Sequence, residues 1–412
     1  MNFEKAKMLS IFSYVRDRLL VFLAISLILS TTVRAQNIEH SGYHFTNDLL
    51  LSTSSVKNQA MTNTCFVFAL VSLLESELIL QGKQAPDISE MYLVRSIYIE
   101  KARKYIRLHG NMYFTGGGEL NDVLDVLPTY GLLPRDLYIG LPKGAKYYSH
   151  QQLEDSLRFF LSNLVSASKD SISKNWIKDY SAILDKFLGK LDDSLNVLKG
   201  AKYPVDYFKS LNFNKDDYVL LTSFTHHKFY QPFSLEVPDN WSWGEANNIP
   251  LEEFRQVCYN SLKNGYTVAW DADDSEEGFS WKNGVAVVPD ESNPGPLITR
   301  QKGWDNMSDY QKHLSIYSLS DSVKEKQITP LLRQKAFDDF GTTDDHCMHI
   351  VGLAHDESNN PFFIVKNSWG STNTKYAGYL YVSEPYFLYK SIAILINKKG
   401  VPPEILKKIY HS

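Results

Sequence analysis

Cys65, His346 and Asn367 are the residue types from which a thiolate nucleophile is built. A cysteine nucleophile needs an imidazole to hold or exchange its proton. The imidazole needs a third group to fix its orientation and tautomer. An Asn side-chain carbonyl can do that without adding a buried charge. Cys65 stands where the polar loop Val56–Thr64 meets an apolar run that begins at Phe66. A cysteine at a helix N-terminus feels the positive end of the helix dipole, which favours thiolate. His346 lies in Asp344-Asp345-His346-Cys347-Met348-His349-Ile350-Val351-Gly352, and Asn367 in Phe363-Ile364-Val365-Lys366-Asn367-Ser368-Trp369-Gly370. Alone, Cys65 reads more readily as a buried structural cysteine. With the other two segments it reads as the centre of acyl-transfer chemistry that requires neither metal nor organic cofactor.

Other residues compete for attention. His346 and His349 are three apart, so on a strand they point to opposite faces and only one can meet Cys65. The same alternation turns Cys347 away from whatever His346 faces. It also argues against a zinc site made of His346, His349 and His355. His226 and His227 are adjacent and should diverge, which makes them poor joint ligands. Cys258 reads as core, and Asp273, Asp274, Glu276 and Glu277 read as a solvated loop.

The elements that must position these residues are legible from periodicity and caps. A helix is expected over residues 65–82, where Phe66, Ala69, Leu70, Leu73, Leu74 and Leu78 form a stripe. A second runs from Ser89 to Arg107, opened by a capping pattern at Asp87–Glu90. Gly116-Gly117-Gly118 breaks the chain, and a third helix runs from Glu119 to about Thr129. Leu251–Lys263 is also helical. A stretch at about 145–205 reads as a helical insertion. From Tyr218 onward strand-like runs dominate, among them Tyr218–Leu221, Thr267–Trp270 and Phe362–Val365. Helices first and strands mostly later indicate an α+β fold rather than alternating βαβ units.

The whole chain has 412 residues, 43% hydrophobic and 22% charged, with 54 aromatic residues among them. Such a chain can bury a sizeable core and is not disordered. The net charge of −4 gives no field of one sign for nucleic acid. Three cysteines cannot form a disulfide framework. Lys5, Lys7, Arg16 and Arg18, the 15-residue apolar run Leu19–Val33 and a small residue at Ala35 have the layout of a secretory signal peptide. The run is short of the roughly 20 residues that span a bilayer, so stable membrane insertion after cleavage is not expected. Residues 1–35 carry five basic and two acidic side chains, so the mature part, 36–412, has a net charge of −7. The expected location is the periplasm or exterior of a bacterium.

The ordered set Gln59, Cys65, His346, Asn367 resembles the papain-like cysteine peptidases. More narrowly, it resembles the bleomycin hydrolase and aminopeptidase C branch. Gln59 precedes Cys65 at the family spacing of its oxyanion-hole Gln. His346 stands six residues before Gly352, as the family's His does before its Gly, which selects His346 over His349. Lys366-Asn367-Ser368-Trp369-Gly370 matches the family's Asn motif, and Gly117-Gly118 matches the pair that lets backbone bond an extended peptide. Val237–Trp241 and Gly265–Trp270 also resemble segments of the branch. The likeness runs from about Ser54 to Pro403.

It implies a papain-like fold, with a helical left subdomain, an antiparallel barrel-like right subdomain and a helical insertion. It implies peptide substrates, Cys65 as nucleophile, His346 as its partner, Asn367 as the orienting group and Trp369 sheltering the His–Asn pair. It also implies Asp239-Asn240-Trp241 as a scaffold loop, and the branch often forms hexamers. Two neighbours of Cys65 depart from the family: Asn63 stands for Gly and Phe66 for Trp. Asn tolerates φ > 0, so the turn can survive. The 281-residue spacing from Cys65 to His346 must accommodate insertions. Only 29 residues separate Gln36 from Cys65, which leaves no room for a long inhibitory propeptide. An aminopeptidase is therefore expected. An endopeptidase and a non-catalytic peptide-binding protein on the same scaffold are the alternatives. The tail Val401–Ser412 has two readings: an anchor in the cleft, with the Ser412 carboxylate on the substrate amine, or a surface helix.

Overall fold

Phe66–Leu74 contains one polar residue, Ser72, and no helix breaker. It folds into α1 (Cys65–Leu80). The sequence suggests a one-sided stripe, yet every residue from Phe66 to Leu78 is buried. A helix covered all round is a core element, and its polar groups need partners. Glu75 accepts the Ile88 backbone N–H at 2.9 Å, and Glu77 accepts the Tyr218 hydroxyl at 2.7 Å.

This computed structural model describes residues 42–84, 86–167, 175–319 and 322–411. The leader 1–35 and Ser412 lie outside the described residues. Among the described residues, no helix is long and apolar enough to cross a membrane.

Two helices pack with α1. α2 (Glu90–Arg107) starts where the Ser89 hydroxyl accepts the Tyr92 N–H at 3.1 Å. α3 (Leu120–Tyr130) stops at Gly131, whose φ of +69° ends a helix without steric cost. The stretch read as an insertion holds α4 (Gln151–Ala167) and α5 (Trp176–Leu188). Leu153, Leu157, Leu161, Tyr180, Leu184 and Leu188 are buried in the same core as α1, α2 and α3.

The strands are β1 (Phe45–Leu50), β2 (Tyr218–Thr222), β3 (Pro232–Ser234), β4 (Glu245–Asn248), β5 (Val268–Ala272), β6 (Phe279–Ser280), β7 (Val285–Ala286), β8 (His346–Asp356), β9 (Pro361–Lys366), β10 (Tyr379–Ser383) and β11 (Ser391–Asn397). They form one sheet in the order β3-β4-β2-β11-β5-β8-β9-β10-β7-β6, with β1 also paired to β8. All pairs are antiparallel except β2–β4 and β7–β10. β8 is the hub, bonded to β1, β5 and β9. β1 precedes the helices yet completes the sheet, which sequence order alone does not suggest.

A second core takes in Val257, Cys258, Trp270, Ile350 and Phe387. Helix Leu251–Lys263 and the C-terminal helix Pro403–His411 contribute to it. Ile405 and Ile409 are buried there, and Lys408 pairs with Glu253 at 2.6 Å. The described tail is thus a packed helix. None of its residues lines the cleft that contains Cys65.

Candidate active site

α1 packs on β8, which brings the helix N-terminus to the first residues of that strand. Cys65 is the first residue of α1 and His346 the first of β8. Asn367 directly follows β9, and the β8–β9 register pairs His349 with Lys366. Three elements therefore deliver Cys65, His346 and Asn367 to one place.

His346 Nε2 lies 2.8 Å from Asn367 Oδ1. An amide oxygen only accepts, so Nε2 carries the hydrogen and Nδ1 is left for the thiol. The Ser368 N–H also bonds Asn367 Oδ1, at 2.6 Å, which fixes the amide. Trp369 stacks on His346 with centroids 4.6 Å apart and planes at 26°. The His346–Asn367 bond is buried beneath this ring, where it is stronger than in water.

Cys65 lies within interaction range of Cys347 and His346, and all three line one cleft. The Cys347 contact and then the His346 bond and charge hold the Cys65 thiol well below its ordinary pKa, against burial. Burial alone would lower the His346 pKa. The bond and charge of Cys65, with Asp274 and Asn367, raise it instead. The two shifts favour a thiolate–imidazolium pair.

Gln59 is buried at the cleft edge, with its Nε2 donating to the Thr62 carbonyl at 2.8 Å. Its Oε1 accepts the Ser368 hydroxyl at 2.6 Å. One amide hydrogen of Gln59 remains for a ligand. Asn63 does not take up the left-handed conformation anticipated for it. The loop places that conformation at Ala60, with φ +52°. Phe66 packs against Gly118, where an added Cβ would meet its Cζ at 2.8 Å. At Gly117 a Cβ would meet Asp239 Oδ2 at 1.7 Å. A side chain at either position would require Asp239 or Phe66 to move, and both glycines line the cleft of about 500 Å³. Buried Lys101 bonds the carbonyls of Thr115 and Gly117, which fixes this loop from below.

Several expectations need correction. Cys347 lines the cleft and meets Cys65 rather than turning away. Face alternation failed because Cys65 sits over the end of β8, within reach of both of its first two residues. Asp239 also lines the cleft, so its loop is more than scaffold. Asp273 is buried and pairs with Lys390 at 3.1 Å, and Glu276 pairs with the same lysine at 2.7 Å. His226 and His227 both turn toward Glu236, at 3.0 and 3.6 Å, because they sit in a bend and not in a regular element. His349 is buried with Nδ1 on Ser72 at 2.8 Å, and His355 pairs with Asp48.

No family model matches the chain. Aminopeptidase W of Lactobacillus delbrueckii subsp. lactis is 22% identical over 398 residues, covering 86% of this chain and 84% of the relative. Aminopeptidase C of the same organism is 21% identical over 405 residues, covering 87% and 83%. The fold is similar to the crystal structure of PepW from Lactobacillus rhamnosis HN001. The TM-score is 0.67 at 17% identity, over 97% of this chain and 94% of that one. The α+β architecture is papain-like, and by sequence the chain is related to the papain-like cysteine peptidases of the bleomycin hydrolase and aminopeptidase C branch.

Proposed function

We propose that this protein is a thiol peptidase that removes residues from peptide N-termini. The observation that carries the reading is the Cys65–His346–Asn367 relay, with His346 and Asn367 buried and Cys65 half-buried on a cleft edged by Gln59 and Gly117–Gly118. The Cys65 thiolate attacks the peptide carbonyl carbon and forms a C–S bond. The oxyanion is held by the Cys65 backbone N–H and the spare amide hydrogen of Gln59. The His346 imidazolium gives its proton to the leaving nitrogen as the C–N bond breaks. Water then attacks the thioester, neutral His346 takes its proton, and the thiolate leaves. Asn367 keeps the imidazole in register throughout. The names of the relatives favour attack at the N-terminus.

One observation favours an endopeptidase as the second reading: no described residue of the C-terminal helix closes the cleft. The intact relay weighs against a purely binding role. The leader composition supports export, and cell fractionation that finds uncleaved protein in the cytoplasm would refute it.

Mass spectrometry of digests tests the function. The substrates are one peptide with a free N-terminus and its acetylated twin, with Cys65→Ala as control. Stepwise loss from the free peptide alone is expected. Internal cuts in both would establish the endopeptidase, and no Cys65-dependent cleavage would refute a peptidase.

A further inference from the structure

Three carboxyl groups meet beside the nucleophile; Asp271 interacts with Asp344 and Cys347, and most of the oxygens of the set lack a well-formed hydrogen bond. Asp271 stands on β5 opposite Cys347, the residue that touches Cys65. Glu119 comes from the turn before α3, directly after Gly117–Gly118. Asp344 comes from the loop that leads into His346 and lines the cleft. One oxygen from each lies within 4.8 Å of the others.

Asp271 is fully buried and Glu119 is 1% exposed. Both carboxylate oxygens of each lack a hydrogen-bond partner, as does Asp344 Oδ2. A buried carboxylate with no donor is costly, and three together more so. Burial, followed by the neighbouring carboxylates, raises the pKa of Glu119 and Asp271 well above the ordinary range. Burial and Asp239 push Asp344 up to about 7.

Lys101 acts on Glu119 as a charge but not through a hydrogen bond. Lys101 is spent on the carbonyls of Thr115 and Gly117. The cleft wall presents Glu154, Asp239, Asp274, Asp344 and Asp345, and among the described residues no Lys or Arg lines it. The group that would complete this set is a cation with several N–H donors, and it would reach the set past Asp344, the one of the three that lines the cleft.

We propose that Asp271, Glu119 and Asp344 form a subsite, on the Gly117–Gly118 side of Cys65, that binds a positively charged group of the substrate peptide. An ammonium supplies three donors, one for each carboxyl group, and a guanidinium five, one for each unpartnered oxygen. The same chemistry serves a substrate α-ammonium or a Lys or Arg side chain. This inference rests on the peptidase reading only for the word substrate; cation recognition itself can be measured without turnover.

The test uses Cys65→Ala protein and calorimetric binding of peptides in four forms. Lys at each position in turn is compared with Nε-acetyl-Lys, each with a free and an acetylated N-terminus. Removing the recognised charge should weaken binding about 10- to 100-fold, as expected for a charged hydrogen-bonded contact. Loss on N-terminal acetylation identifies the α-ammonium, and loss on Lys acetylation identifies the side chain. Asp271→Asn should bring the ratio close to one. Equal affinity for all four forms would overturn the subsite, even if the wild-type protein cleaves them. Retention of the full charge preference in folded Asp271→Asn would overturn the assignment to these residues. Stoichiometric calcium binding that raises the melting temperature, with no charge preference among the peptides, would make the occupant an inorganic cation and also overturn the proposal.

Discussion

At the scale of the residue, the reactive pair is poised by unequal partners. The active form exists above the depressed Cys65 pKa and below the raised His346 pKa. Activity should therefore rise with pH through the first and fall through the second. The Cys347 contact stabilises the thiolate, so Cys347→Ala should move the acidic limb upward, whereas Cys347→Ser, which keeps a donor, should leave it low. A pH–kcat/KM profile of the two variants checks this. Gln59→Ala should lower kcat roughly 10²- to 10³-fold with little change in folding, as for loss of one oxyanion donor. Steady-state kinetics beside a melting curve separates the two effects. The sequence made Cys65, His346, Asn367 and Gln59 legible because each carries a distinctive neighbour pattern. Asp271 was harder to read. An Asp inside the apolar strand Val268-Ala269-Trp270-Asp271-Ala272 was a usable signal, since a buried charge demands a partner.

At the scale of the element, α1 presents the nucleophile and also carries a titrating anchor. Burial raises Glu77, less its bonds to Tyr218 and Asn397, to about 7 from an ordinary 4.5. A raised carboxylate means the folded state holds the proton longer than the unfolded chain. Its stabilising contribution is complete below about pH 4.5 and is lost as pH rises through 7. The stability of the wild type relative to Glu77→Gln should therefore fall by about 3 kcal/mol between pH 4.5 and 8. Chemical denaturation of both proteins across that range measures it, and a constant difference would refute it. Helix positions were legible because caps such as Ser89 and breaks such as Gly116–Gly118 are local. The burial of α1 on every side was not, since it depends on which distant strands cover its polar face. The pairing of β1 with β8 was hidden for the same reason.

At the scale of the whole molecule, the peptide cleft opens among the elements of the first core, while the C-terminal helix belongs to the second. Ile405 and Ile409 are one turn apart, so a helix was readable, but the surface that receives it was not. Ile405→Ala should destabilise the fold by roughly 2–5 kcal/mol, the usual cost of such a core truncation. It should not change where peptides are cut, and a melting curve with a digest map tests both halves. A change from stepwise to internal cleavage would instead give the tail a role in the cleft. The proposed chemistry depends on Cys65 being a thiolate held by His346. Its most direct test is the rate of iodoacetamide labelling at Cys65, Cys258 and Cys347, followed by mass spectrometry from pH 4 to 9. Cys65 should react far faster than the other two at acidic pH, and His346→Ala should remove that advantage. Equal, slow labelling of all three cysteines at acidic pH would contradict the account.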